Sequence, residues 1–486
     1  MASPPTPPAR EPLSSVDFAW LRMDDPTNLM HINGVLVLDQ PVAFESIRDI
    51  IERRLLAIPR FRNRVVVPKR GKPYWEPDPH FDLANHVGHI TLPDPGGDDQ
   101  LREVVEGLIS QQFAPDHPMW RFEVIDNYRG GAVILAKLHH CLGDGVALML
   151  VLLSLTDRTP QVESGGRNPF LSLYTRHEKH EDGEEHLDLD TIRQLAEEIM
   201  PEGMKLMLHP AEAFRKLTGW VKAPVATGHL GRLVFRPADP RTVFKGPLGV
   251  PKSVAWSEAL SLDEVKAVSK ALGGTINDVL LSAMTGGLRR YLKQNGSEPA
   301  DDLNFRAAMP VNLRTMERMD QLGNQFGLIF LSLPVGIADP ARRLAELKRR
   351  ASSLKRSLEP VVVFRILDTL GIVPRKVQDL VVKIFATKAT AVMTNVPGPK
   401  EVLYLAGKPI TDLFFWVPQA GRVGIGISIC SYAGRVRLGV GTDSGLVPDP
   451  EKIVDGFQEE FDAMRQLAGL PAELTAGPRL ATVSSP

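Results

Sequence analysis

Two cysteines, Cys141 and Cys430, in 486 residues leave no material for a disulfide framework, so a reducing compartment is the expectation. Charge of one sign is missing as well. With 57 basic and 58 acidic side chains and a formal net charge of -1, nothing attracts nucleic acid globally, and no known binding motif for it is present. Long apolar runs are also lacking. The greasiest, Val146 to Leu155, falls well short of the roughly 20 residues that span a bilayer, so any membrane contact is expected to be peripheral. The opening MASPPTPPAREPL has no apolar stretch of a secretory signal and reads as a proline-rich mobile tail over 1–13.

What is present is the composition of a globular protein, 43% apolar and 24% charged. The length exceeds one ordinary core, which predicts two domains. Helical stripes fall at Phe44, Ile47, Ile50, Ile51 and Leu55, and again at Leu101, Val104, Val105, Leu108, Ile109 and Phe113. Strand-like runs cover Asn33 to Leu38, Phe122 to Ile125 and Ala132 to Leu138. The polar stretch HEKHEDGEEHLDLD suits a solvated linker; its histidines lack a zinc-like ligand pattern. Helix and strand signals resume beyond it. Ser261 and Glu264 open one helix, and Thr275 caps the next. Strands are predicted at Leu303 to Met309, Gly327 to Leu333, Ala391 to Val396, Leu413 to Val417 and Val423 to Cys430, with a final helix over Glu451 to Leu467. The expected organisation is α/β, with lobes over 14–160 and 246–470, a crossover over 161–245 and a tail over 471–486.

Chemistry concentrates in AKLHHCLGDGVALML, a strand, a tight turn and a helix. Gly143 and Gly145 permit the turn. His139 and His140 at a strand end point to opposite faces, so both cannot serve one site in the same way. Imidazole suits proton abstraction from an alcohol because its pKa lies near working pH. Asp144 could orient a ring or hold an arginine. Cys141 is a rival nucleophile, although opposed faces work against a Cys–His pair. A bare His-His pair would read as ordinary polar residues; Gly-Asp-Gly at this spacing turns the reading towards function.

HHCLGDG matches the HHxxxDG signature of the CoA-dependent acyltransferase superfamily, which includes chloramphenicol acetyltransferase and peptide-synthetase condensation domains. More narrowly, the chain resembles the bacterial wax ester synthase/acyl-CoA:diacylglycerol acyltransferase family. The segments carrying that resemblance are DFAWLRMDDPTNLMHING, HPMWRFEVI, GGTINDVLLSA, MPVNLR, LGNQFG and TNVPGP, in the family's order from about Ser14 to Asp443. Met119 departs from the family's usual leucine, a swap that keeps apolar bulk.

The resemblance implies two chloramphenicol-acetyltransferase-like lobes with mixed sheets and a channel between them. It implies transfer of a long-chain acyl group from acyl-CoA, as co-substrate and with no cofactor or metal, to diacylglycerol or a long-chain alcohol. His140 is then the general base, with no acyl-enzyme, and His139 and Asp144 shape the loop. It also implies a cytoplasmic protein held peripherally at the inner membrane or lipid inclusions. Asn277 and Asp278, in a helix's first turn, have ordinary capping roles available. The resemblance marks the pair, and Asn277 could steady an oxyanion. Arg314 could pair with Asp144, meet CoA phosphate or be a plain surface residue. Trp120 reads as a core anchor, and Pro397-Gly398-Pro399 as a rigid turn.

The basic clusters at Arg60 to Lys72 and Ala341 to Arg356 read as solvated faces. The stripe Val377, Leu380, Val381, Ile384 and Phe385, beside Arg375, Lys376 and Lys383, could lie on a membrane, but core burial is the expectation. Two rival functions are a condensation-type enzyme with another acceptor, and a non-catalytic lipid-droplet or membrane-binding protein.

Overall fold

A computed structural model describes residues 10–161, 236–313, 322–354, 359–419 and 423–471. Arg314, both tail ends and most of the 161–245 crossover lie outside the described residues.

In chain order the first half carries β1 (Glu11–Pro12), α1 (Ser15–Met23), β2 (His31–Leu38), α2 (Phe44–Ile50), β3 (Asn63–Val66), β4 (Tyr74–Pro77), β5 (Val87–Thr91), α3 (Asp98–Ile109), β6 (Trp120–Tyr128), β7 (Gly131–His139) and α4 (Gly145–Ser154). The second half carries β8 (Lys252–Trp256), β9 (Leu260–Ser261), α5 (Leu262–Ala271), α6 (Ile276–Gln294), β10 (Phe305–Asn312), β11 (Phe326–Leu333), α7 (Pro340–Leu354), α8 (Glu359–Leu370), α9 (Arg375–Lys388), β12 (Ala391–Pro397), β13 (Tyr404–Leu405), β14 (Lys408–Trp416), β15 (Ile425–Tyr432), β16 (Arg435–Asp443) and α10 (Glu451–Leu467).

Two large sheets organise these elements. The first runs β13-β14-β2-β7-β6-β5; the second runs β11-β10-β12-β15-β16-β8, with β9 added to β16. Both are mixed: β5 lies parallel to β6, and β12 parallel to both β10 and β15, among antiparallel neighbours. The sheets do not divide the chain into contiguous halves. β13 and β14 fall within 246–470 by sequence, yet β14 pairs with β2 in the first sheet, Phe414 opposite Val35. No local pattern signals that exchange, because strand periodicity carries no information about the partner.

β7 shows how the chain builds two cores from one strand. All nine of its residues are buried, and successive side chains point to opposite faces. Ala132, Ile134, Ala136 and Leu138 join one apolar cluster with Ile47, Ile50, Ile51 and Leu55. Val133 and Leu135 join another with Leu101, Val105 and Ile109 of α3 and Val254 of β8. That second cluster spans both sheets. Trp120 is an apolar anchor at 1% exposure, and its Nε1 donates to the Phe61 carbonyl at 2.8 Å.

Two expectations are corrected. The basic clusters are not uniformly solvated: Arg60 is buried, and Arg343 of α7 is fully buried and paired with Glu460 of α10. Nor is the α9 stripe wholly covered. Val381 and Phe385 pack inward, with Gln378 and Val382 buried, but Val377 and Leu380 are exposed.

In the second lobe α6 packs closely on α10. A Cβ at Gly287 would stand 2.8 Å from the Phe457 nitrogen and 3.0 Å from the Ile453 carbonyl oxygen. Backbone cannot yield there as a flexible side chain would. Gly287→Ala gains up to about 1 kcal/mol of helix propensity and loses about 1–3 kcal/mol to overpacking. Net destabilisation is therefore expected in denaturant unfolding; an unchanged or raised midpoint would show that the helices separate freely.

Candidate active site

His139 is the last residue of β7, so its side chain shares the face of Lys137, while His140 shares that of Leu138. Leu138 and His140 both line a cavity of about 160 Å³ between the sheets. Its walls come from β2 and β7, from Val146, Leu148, Met149 and Leu152 of α4, and from β10, β11, β12 and β14. Almost all of these residues are apolar. Leu36 and Leu152 also line a smaller apolar hollow beneath it.

The His140 ring is held by aromatic contacts. Trp20 stacks on it with centroids 4.5 Å apart at 14°, and Phe326 lies tilted at 5.4 Å. Nδ1 is buried with no hydrogen-bond partner, which leaves Nε2 as the nitrogen the cavity can reach. Burial drives the pKa down to about 4; the ring's own backbone carbonyl, Asp144 and Asn324 oppose this, and His139 adds to it. His140 is thus neutral, with a lone pair to offer, at any physiological pH.

The His140 backbone is pinned from both sides. Its N–H donates to the Met30 carbonyl at 2.8 Å, and its carbonyl accepts from Asn324 Nδ2 at 2.7 Å. The same Asn324 amide donates to Asp17 Oδ1 at 2.7 Å, and the Asn324 backbone N–H reaches that oxygen at 3.0 Å. Burial raises the Asp17 pKa, against the opposing pull of Arg60 and of these bonds.

Asp144 is the N-cap of α4: Oδ1 accepts from Ala147 N–H at 3.0 Å, while Oδ2 accepts from Gln325 N–H at 2.9 Å. One carboxylate therefore caps a first-lobe helix and ties it to the second lobe, where Gly143 and Gly323 also form a bridge. Neither Gly143 nor Gly145 has a positive φ, so the turn does not need their left-handed freedom; Gly323, at φ +104, does. A Cβ at Gly143 would crowd Ala147 at 3.2 Å, whereas nothing lies within 4 Å of one at Gly145. Gly145 instead leaves open space on the cavity wall.

His139 does different work. Its Nδ1 accepts from Cys141 N–H at 3.0 Å, which puts the proton of the neutral ring on Nε2, 3.7 Å from Asp24 Oδ1. His31 Nε2 lies 3.8 Å from the same oxygen. Among the described residues Asp24, His31 and His139 have metal-like spacing. A ring that already accepts a hydrogen bond at Nδ1 has no second lone pair for a cation, so the residues do not fit a metal. Cys141 is buried and its thiol pKa is pushed up by burial, which disfavours the thiolate a nucleophile needs.

Asp278 closes the capping box of α6 with Thr275. Asn277, half-buried in the same turn, is not on the cavity wall; its Oδ1 accepts from Asn395 Nδ2 at 3.0 Å, and Asn395 lies between the wall residues Thr394 and Val396. Arg314 lies outside the described residues. Reasoning from sequence did not single out Trp20, Asp17, Asn324 or Phe326. Their signal was present in DFAW and LGNQFG, where polar residues sit inside segments that otherwise read as core.

The described geometry makes folding stability pH-dependent. His140 has a folded pKa near 4 against about 6.5 unfolded, so between those values the unfolded chain binds more protons. Stability is expected to fall by about 3 kcal/mol as pH drops through that window, at about 1.4 kcal/mol per pKa unit. Denaturant titrations near pH 7 and pH 4.5 should show a smaller acid loss in His140→Phe than in wild type; equal losses would contradict a buried neutral ring.

Comparison with known proteins identifies the family. A family model described as the wax ester synthase/diacylglycerol acyltransferase catalytic domain matches residues 13–280, and the WS/DGAT C-terminal domain matches 322–465. The probable diacylglycerol O-acyltransferase tgs1 of Mycobacterium tuberculosis is 26% identical over 472 residues, covering 94% of this chain and 96% of the relative. The wax ester synthase/diacylglycerol acyltransferase of Marinobacter aquaeolei aligns with TM-score 0.66 at 20% identity, over 94% of this chain and all of the other. The first condensation domain of the calcium-dependent antibiotic synthetase aligns with TM-score 0.57 at 15% identity, over 96% and 98%. These structural likenesses concern the fold.

Proposed function

Since the chain belongs to the wax ester synthase/diacylglycerol acyltransferase family and is an O-acyltransferase, we propose that it moves a long-chain acyl group from acyl-CoA to the hydroxyl of diacylglycerol or a long-chain alcohol, with His140 as general base. The observation that carries this reading is a neutral imidazole on the wall of an apolar cavity. A fatty chain finds few polar groups to strip of water there, and an alcohol proton finds the His140 ring.

In the proposed step, His140 Nε2 takes the acceptor's hydroxyl proton as the oxygen attacks the thioester carbon. The resulting tetrahedral adduct collapses, the C–S bond breaks, and the proton on Nε2 passes to the departing CoA sulfur. Nothing is left on the protein, so no acyl-enzyme forms. The raised thiol pKa of Cys141 supports that reading. Asn277 remains a candidate to steady the oxyanion: its amide oxygen is occupied by Asn395, which leaves its N–H groups as the end with donors to offer. The step calls on no metal or cofactor. Among the described residues no helix is long and apolar enough to cross a membrane. The proposed location is cytoplasmic, in peripheral contact with a membrane or lipid inclusion, where both lipid substrates collect.

Labelled palmitoyl-CoA offered hexadecanol and diacylglycerol should yield wax ester, triacylglycerol or both with the wild-type chain. A folded His140→Ala variant is expected to lose about 10²–10⁴-fold in rate. Ester formation at the wild-type rate by that variant would overturn the assignment.

A further inference from the structure

Large apolar side chains exposed to solvent are few among the described residues, and half of them cluster. Of the six, Ile372, Val377 and Leu380 fall within nine residues, at 74%, 45% and 58% exposure. They occupy the corner between α8 and α9. The exposed charges on the same two helices are mostly basic: Arg365, Arg375, Lys376 and Lys383 outnumber Asp368 and Asp379. On α9 the residues fall into three strips at 100° per residue. Gln378, Val382 and Phe385 face the protein; Leu380, Ile384 and Val377 form an outward apolar strip; Lys376 and Lys383 border it along one edge.

From this pattern we infer that the α8–α9 corner docks the protein on an anionic lipid surface, inserting Ile372, Val377 and Leu380 among the acyl chains while the basic side chains meet the headgroups. An apolar strip edged by lysine and arginine is what such a surface selects. A second protein copy would bring the same positive charges against each other.

The corner is also attached to the cavity. Arg22 of α1 donates through Nη1 to the Val373 carbonyl at 2.9 Å, and Gln378 Nε2 donates to the Ala19 carbonyl at 2.9 Å. Gly371 has no room for a side chain against the Ser15 carbonyl. Helix α1 carries Trp20, which stacks on His140. Leu367 and Leu370 of α8 share one apolar cluster with Trp20 and Phe326 of the cavity wall. A lipid surface on the corner therefore lies against the elements that form the acyl cavity, which suits an acceptor that leaves the bilayer without crossing water. This inference deepens the proposed acyl transfer and rests on it for the lipid's identity as substrate source.

The test is co-sedimentation of the full chain with phosphatidylcholine vesicles containing phosphatidylglycerol. Wild type is expected to bind, and an Ile372→Ser/Leu380→Ser variant to partition at least about tenfold less. A Lys376→Ala/Lys383→Ala variant should bind less at low salt and resemble wild type at high salt. Esterification of butanol, which needs no surface, should be unchanged in the serine variant. Equal vesicle binding by wild type and serine variant would overturn the proposal. So would a serine variant that loses butanol esterification, or one whose main defect is lost self-association in sedimentation velocity. Absence of butanol esterification in the wild type would instead strike the acyl-transfer reading and leave the vesicle result standing by itself.

Discussion

The centre of this protein depends on holding one imidazole without charge in an apolar cavity between two lobes. At the ordinary pKa of about 6.5 His140 would be partly protonated near neutral pH; burial beneath Trp20 and Phe326 lowers that value and keeps the ring neutral. In the proposed reaction the same apolar walls that exclude water would hold the fatty chain. In the proposed role base strength is given up in exchange, since a ring with a pKa near 4 is a weak base on its own. As the proposed base it would act through its position and its unprotonated state, rather than through intrinsic affinity for a proton.

Such a ring has to be placed from outside the cavity, because few polar groups line it. The placement runs through backbone and through both lobes. Met30 and Asn324 hold the two ends of the His140 peptide unit, Asp17 secures Asn324, and Asp144 caps α4 while bonding Gln325 across the lobe boundary. The first sheet is itself completed by β14, drawn from the second half of the chain. The cavity is therefore a property of the assembled pair, and neither lobe alone would surround it.

Much of this was legible in the sequence. β2, β6, β7, β10, β11, β12, β15 and α10 lie where periodicity put them, and the opposition of His139 and His140 follows from strand geometry alone. Three things were not legible. Strand exchange was hidden because alternation marks a strand without naming its neighbour. The lobe staples were hidden because Asp17 and Asn324 gain meaning only from partners 184 and 307 residues away. Gly145 was misjudged: its value is the space above it, where the turn alone suggested backbone freedom. The half-covered α9 stripe belongs with these, since amphipathic spacing cannot say how wide a face the rest of the fold will cover.

The α8–α9 corner and the cavity share apolar residues around α1, so the proposed capture of a greasy acceptor and the proposed shielding of the base would draw on one cluster. The proposed acyl transfer presupposes the uncharged ring. The most direct measurement is ¹⁵N NMR of histidine-labelled protein, with the His140 resonances identified by their absence from His140→Gln, titrated from about pH 8 to pH 5. A ring that stays neutral across that range is the predicted result, given its pKa near 4. Protonation with a midpoint at or above about 6.5, the value of free histidine, would contradict it.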